Sequence, residues 1–389
     1  MGSDLRFAKE IVMKKRSIPV NTPVIGDEEK ANLIECVETG WISSEGPFVA
    51  EFENRFSDYI GRKHGVAVSN GSAALDVAVA ALNMNPGDEI IVPTFTIISP
   101  LLSIVRSGLK PVLVDSNLEN WNMQVGDIAS KITSKTRAIL VVHIYGLPTP
   151  MDEILELCNR NNLYLIEDAA EVHGQTYKGQ KCGSFGDIST FSFYPNKIIT
   201  SGEGGMCLTN SAELADRCRK LRNLAFEPNG RRFVHEEIGW NYRMTNLQAA
   251  VGLAQLDKID QHLTRKKEIG FRYLDGLRNV PGLTLPLRSY NEEENIFWVF
   301  GVICKTEEQK EALCKGLNDL GIGTRPFFWC MHEQPVFLKK GMFEGFRAPN
   351  AELMSRRGFY LPSGIGLVNS DIDFVCKAVS SLILNNEAV

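Results

Sequence analysis

The chain has 389 residues, 44% of them apolar and 23% charged, with a net charge of −5; this is the make-up of a soluble globular protein long enough for two domains. So mild a charge gives no broad attraction to nucleic acid or an anionic membrane, and the short clusters Lys14-Lys15-Arg16 and Arg231-Arg232 read as solvated faces. Nine cysteines without CxxC or metal-ligand spacing suit free thiols, and no apolar stretch nears the roughly 20 residues of a membrane helix, so the expectation is a cytoplasmic protein with no metal site and no nucleic-acid or membrane partner.

No role is assigned to residues 1–20. From about residue 64 to 210, short apolar runs alternate with amphipathic helical patterns. Candidate strands are 65–68, 89–92, 111–114, 138–142, 164–166, 190–193 and 205–208, with helices such as 72–82 and 151–161 between them. Continuous apolar runs indicate strands covered on both faces. The alternation predicts an α/β fold: a mostly parallel seven-stranded sheet flanked by helices. From Thr245 a helical period runs through Leu247, Ala250, Leu253, Leu256 and Ile259 and on past Arg265. After Pro281 come an apolar run at 297–302 and a helix at 307–320 stopped by Gly321. The expected division is a large domain, 1–264, with an N-terminal arm, and a smaller C-terminal α+β domain, 265–389.

Ligands of such sheets bind at the carboxyl ends of the strands. Three features fall there. Asn70-Gly71-Ser72 follows a strand and opens a helix, where backbone N–H groups and a serine hydroxyl can cradle a phosphate, or where the serine is only a cap. Asp168 ends the run 164–166 and is followed by two alanines that would let a flat ring approach, with Glu171 in reach of a polar ring atom. Lys197 ends Ser192-Phe193-Tyr194-Pro195-Asn196-Lys197, just before the turn Gly202-Glu203-Gly204-Gly205. A lysine amine that can condense with an aldehyde, and an aspartate that can keep a pyridine nitrogen protonated, are the parts a pyridoxal-phosphate enzyme needs. Ser192, between two phenylalanines, offers a further hydroxyl for the phosphate or is satisfied by backbone; His173 is either a core histidine or a secondary candidate.

Gly183-Ser184-Phe185-Gly186-Asp187, the 192–197 run and the glycine turn together resemble the nucleotide-sugar aminotransferases of the DegT/DnrJ/EryC1/StrS family, which are fold-type-I pyridoxal-phosphate enzymes. The likeness runs nearly end to end, through Trp41-Ile42-Ser43-Ser44, the stretch from Gly239 to Thr245, Arg325-Pro326, Met331-His332 and Leu361-Pro362. It implies transfer of an amino group from L-glutamate to C4 of GDP-4-keto-6-deoxymannose, with Lys197 as Schiff-base lysine and proton shuttle and Asp168 as the pyridinium partner. Gly71, Ser72 and Ser192 would hold the cofactor phosphate, and Asn241 would reach it from a neighbouring subunit, making a homodimer with shared active sites. Arg231 or a loop neighbour would approach the sugar-nucleotide phosphates. Trp41, Ser43, Ser44, His173, Arg325 and His332 would belong to the substrate surroundings. Ile97 stands where relatives carry an aromatic residue stacked on the cofactor ring. Relatives that act as dehydratases replace the lysine with histidine, so Lys197 favours transamination. Amination at C3, or at C4 of a UDP- or dTDP-linked sugar, stays open, as does a non-catalytic, cofactor-binding regulator on the same fold.

Overall fold

The structure, a computed structural model, describes residues 17–227 and 230–386; the Lys14-Lys15-Arg16 cluster lies outside them. Helices α1 (Asp27–Thr39) and α2 (Pro47–Ile60) precede the first strand. Strands β1 (His64–Val68), β2 (Glu89–Pro93), β3 (Lys110–Val114), β4 (Thr136–Val142), β5 (Tyr164–Asp168), β6 (Ile188–Ser192) and β7 (Gly205–Thr209) form one sheet, in the order β1-β7-β6-β5-β4-β2-β3. Helices α3 (Gly71–Ala81), α4 (Ser99–Arg106), α5 (Met151–Asn161) and α6 (Ala212–Arg222) lie between or after them. β7 runs antiparallel to both its neighbours, and every other pairing is parallel. The carboxyl ends of β1, β5 and β6 therefore share one edge of the sheet with the start of β7.

The side chains explain this layering. β2 is buried along its whole length and β4 from Ala138 on, as apolar runs between two helical layers require. α3 is capped by the Asn70 side chain, which accepts from the Ala73 N–H at 2.8 Å, and its run of alanines and valines lets it lie buried at short distance on the sheet.

The helical pattern after Thr245 is two helices, α7 (Asn246–Leu256) and α8 (Ile259–Leu277). The helix breaks at Lys258 (φ −105°, ψ 4°), whose ammonium is held by Glu28 and Glu29 of α1 at 2.8 and 3.1 Å. The apolar period carries through the break because Leu253, Leu256 and Ile259 are all buried. α8 passes unbroken through the expected boundary at 264/265, and from Ile269 on it faces a second core. That core holds Tyr273, Phe300, Phe359 and Val379, and it is built on an antiparallel sheet of β8 (Leu283–Thr284), β9 (Phe300–Cys304), β10 (Arg325–Pro326) and β11 (Gly358–Leu361), in the order β8-β9-β11-β10. Helices α9 (Glu307–Asp319), α10 (Pro349–Arg357) and α11 (Asn369–Asn386) belong to the same half of the chain. Phe297 stands at φ +49° just before β9; its own side chain stays in the second core, while Trp298 and Val299 join the core of the large sheet.

The described start of the chain joins the second core rather than the first. Ile18 is buried there, its N–H donating to Gly321 O and its carbonyl accepting from Gly323 N–H, both at 2.8 Å. All nine cysteines are free. No helix of the described residues is long and apolar enough to cross a membrane.

The sheet edge is tied down at Glu167, beside Asp168. Its fully buried carboxylate accepts from His143 Nε2 at 3.1 Å and from the N–H groups of Gly183, Phe185 and Gly186, while Arg62 donates to the carbonyls of Gly183 and Gly186. Burial pushes this carboxyl up, but the hydrogen bonds from His143 and the two glycine amides outweigh it, and the group is held below the usual carboxylate range. The resulting stabilisation is present at neutral pH and is lost as acid protonates the group through its depressed folded-state value. Glu167→Gln should lower stability by about 3 kcal/mol, read from urea unfolding at fixed protein concentration. A loss under about 1 kcal/mol would mean that these amides need no buried charge.

Candidate active site

Lys197 sits in a loop set by the ends of β6 and β7. Phe193 N–H donates to Gly204 O at 2.8 Å, Ser201 N–H and Thr200 Oγ1 return to Phe193 O at 3.0 and 2.8 Å, and Lys197 N–H closes a turn onto Tyr194 O at 2.9 Å. Ile198 and Ile199 are buried and anchor the next residues. The amine thus leaves a pinned backbone and enters a cavity of about 820 Å³ at the carboxyl edge of the sheet.

Asp168, Glu171, Ser192, Gly71 and Ser72 line the same cavity. Asp168 is 3% exposed and accepts from the Ala170 N–H at 3.2 Å. Burial pushes its carboxyl up, against the Ala170 amide and the charges of Lys197 and His143. Burial pushes Glu171 further, to about 7, opposed by Lys197 and by the Tyr145 N–H that it accepts at 2.9 Å. Burial lowers the Lys197 amine, and the charges of Glu171 and Asp168 restrain that fall. These are two buried acids that still lack a cation of their own beyond one lysine.

The start of α3 makes a second feature of the cavity. A Cβ on Gly71 would stand 2.7 Å from Ser192 Cβ and 3.0 Å from its Oγ, so only glycine lets that serine lie against the helix start. Ser72 Oγ meets Ser99 Oγ at 2.7 Å, adding a hydroxyl from the start of α4. Unpaired N–H groups at a helix start, with three serine hydroxyls, are a donor set for a phosphate. A planar ring carrying a phosphate at one end, a basic nitrogen for a buried acid and an aldehyde for an amine matches these residues. Pyridoxal phosphate fits them.

Ile97, 45% exposed, and Arg325 also line the cavity. The remaining residues singled out from sequence do not. His173 is fully buried among Phe56, Phe191 and Phe193, with ring centroids 6.2, 5.3 and 5.8 Å away, and burial first, then the Lys197 charge, lowers its pKa to about 3. It is a neutral core ring with no face on the cavity. His332 is buried too: Nδ1 meets Thr94 Oγ1 at 2.8 Å and Nε2 meets Glu352 Oε1 at 3.2 Å. Glu352 in turn takes both arms of Arg347, at 2.9 and 2.7 Å. That network joins the wall bearing Ile97 to the segment after Arg325 without offering the imidazole to a ligand.

Asn241, Trp41, Ser43, Ser44 and Arg231 lie outside this cavity. Ser44 lines another, of about 240 Å³, with Arg219, Arg222 and Arg243. In the segment after Arg231, two large apolar side chains are exposed among charged ones: Phe233 is 73% exposed and Ile238 89%. Sequence reasoning missed Ser99 and Trp298. Ser99-Pro100 at the start of α4 is a legible helix-start signal. Trp298 gave none, lying in an apolar run that reads as core.

The DegT/DnrJ/EryC1/StrS aminotransferase family matches the chain over residues 23–380. The GDP-perosamine synthases of Escherichia coli O157:H7 and Caulobacter vibrioides are each 41% identical to it, over 363 and 372 residues, covering 93% and 94% of this chain and 98% of each relative. Among solved structures, DesV of S. venezuelae is 33% identical with a TM-score of 0.85, covering 91% of this chain and 94% of that one.

Gly71→Ala should leave the far-ultraviolet circular dichroism unchanged and weaken pyridoxal-phosphate binding at least about tenfold, read by fluorescence titration, since the added methyl displaces Ser192. Unchanged affinity would remove the α3 start from the phosphate site.

Proposed function

The chain belongs to the DegT/DnrJ/EryC1/StrS aminotransferase family, and from that premise we propose that it moves an amino group from L-glutamate to C4 of a GDP-linked 4-keto-6-deoxy sugar, GDP-4-keto-6-deoxy-D-mannose, giving GDP-perosamine. The observation that carries the chemistry is the meeting of Lys197 with buried Asp168 at adjacent strand ends, beside the α3 start. Support for the sugar comes from the two GDP-perosamine synthases at 41% identity over nearly their whole length.

Bound here, pyridoxal phosphate supplies an aldehyde for exchange with substrate amines and a ring that withdraws electrons from the reacting carbon. Gly71, Ser72 and Ser192 hold its phosphate. Asp168, kept from water, stays ionised against a protonated ring nitrogen, which relieves the penalty that burial imposes on it. The Lys197 amine, once free, takes a proton from the substrate carbon and delivers it to the carbon on the far side of the nitrogen being transferred. Glu171, poised near neutrality, holds or releases a proton at the same cavity wall. Since glutamate and the sugar use one set of residues in turn, the kinetics are ping-pong.

Asn241 stands exposed outside its own chain's cavity and is bridged to Asn223, and the segment before it exposes Phe233 and Ile238. These features support a homodimer in which Asn241 completes the partner's phosphate site. The second core that α8 meets from Ile269 on supports a division near residue 264 between a large cofactor-binding domain and a smaller one, with α8 running across it. Free thiols throughout suit a cytoplasmic enzyme.

With pyridoxal phosphate bound, excess glutamate should change the protein's absorption, and GDP-4-keto-6-deoxymannose should reverse the change. UDP- and dTDP-linked keto sugars should reverse it far less. No response to glutamate would overturn the aminotransferase reading, and preference for a UDP- or dTDP-linked sugar would overturn the substrate.

Lys197→Ala should lose at least about 100-fold in turnover. Mixing and refolding that variant with Asn241→Ala should restore activity that neither has alone, through heterodimers with one intact site. No restoration would rule out sharing.

A further inference from the structure

One residue outside the chemistry above touches the amine. Trp298 is buried, and Lys197 Nζ lies 3.9 Å from the centroid of its ring. Its indole N–H donates to the carbonyl of Asn196, the residue before Lys197, at 2.7 Å. A single side chain from beyond the expected domain boundary thus holds the lysine twice, the amine by the ring face and the backbone by the ring edge.

This placement is built at some cost. Phe297 adopts φ +49°, a region that large side chains rarely occupy, and its N–H is taken by Asn295 Oδ1 at 2.7 Å. Gly146 (φ +112°) makes room, since a Cβ there would fall 2.8 Å from the backbone nitrogens of Phe297 and Trp298. Behind the indole, the buried ammonium of Lys266 donates to the carbonyls of Trp298 and Ser363 at 2.5 and 2.6 Å.

We propose that Trp298 is the positioning residue for Lys197: the indole face holds the amine in its charged form between proton transfers, and the indole N–H fixes the Asn196–Lys197 backbone. The inference rests on the reading of Lys197 as the reactive amine. When a C–H bond breaks, the proton goes to the lysine nitrogen, and the ammonium later returns it to carbon as that bond forms. In the interval a full positive charge sits on an amine that is half-buried against the indole. An aromatic face favours that charged form, more strongly where water is excluded. Glu171 and Asp168 are the acids that act on the same amine, His173 feels its charge, and Lys266 lines a small second cavity with it.

The test is the pH profile of Lys197 acylation in the full-length protein freed of cofactor, read on the Lys197 peptide by mass spectrometry. Trp298→Leu should move the midpoint down by roughly one pH unit, because the amine loses its aromatic partner while an apolar side chain still covers it. Trp298→Phe keeps a ring and should stay near the native midpoint. Should the leucine variant fail to fold, Trp298→Met gives the same ringless arm. A ringless variant with an unchanged or raised midpoint, or a phenylalanine variant that shifts as far, would overturn the proposal. The response of the native protein to glutamate is scored separately. If that response is absent the aminotransferase reading falls, while the acylation profiles still decide the role of Trp298.

Discussion

Asp168, Glu171 and Lys197 line one cavity, where a single amine is set against two acids that raise each other. Burial works against all three, raising the acids and lowering the amine. Such a set is expensive in a folded chain unless the backbone around it cannot relax to let water in. The rest of the architecture supplies that rigidity. Parallel strands put Asp168 and the start of the Lys197 loop side by side, and the antiparallel β7 closes the loop that carries the amine.

The support continues one residue deep. Glu167, adjacent to Asp168, points to the other face of β5 and gathers His143 and three amides from the 183–186 turn. Neighbouring carboxylates on one strand thus meet opposite fates. Glu167 is saturated with donors and held below its ordinary pKa, whereas Asp168 has one amide and is pushed up. Alternation along a strand is enough to separate a structural acid from a reactive one.

Most of the large sheet could be read from the sequence, because buried parallel strands need continuous apolar runs and the runs are there; the opposite fates of Glu167 and Asp168 could not. Gly71, Ser72, Asp168, Glu171, Ser192, Ile97, Lys197 and Arg325 line one cavity because strand ends and helix starts mark the edge where ligands bind. What was hidden depends on side-chain direction or on distant partners. His173 has the residue type of a catalytic group, yet three phenylalanines enclose it. The break at Lys258 leaves the helical period intact and is set by carboxylates more than two hundred residues earlier. Trp298 reads as core, and only the left-handed backbone at Phe297 turns it toward the lysine.

The cavity draws its walls from both halves of the chain, and the two contributions differ in kind. Strand ends and helix starts supply the acid, amine and serines, with backbones locked by ladders. The segment 325–329 supplies Arg325, whose side chain is exposed, and Trp329, which is 44% exposed. That segment is fastened below the cavity, where Met331 N–H donates to Thr94 O at 2.9 Å and His332 meets Thr94 Oγ1. A site that must take a small amino acid and then a much larger nucleotide sugar needs this division. Fixed groups at the sheet edge act on the atoms common to both substrates, and exposed groups on a tethered segment are free to meet the parts that differ. The His332 ring itself is taken up by Thr94 and Glu352 and serves to hold that wall.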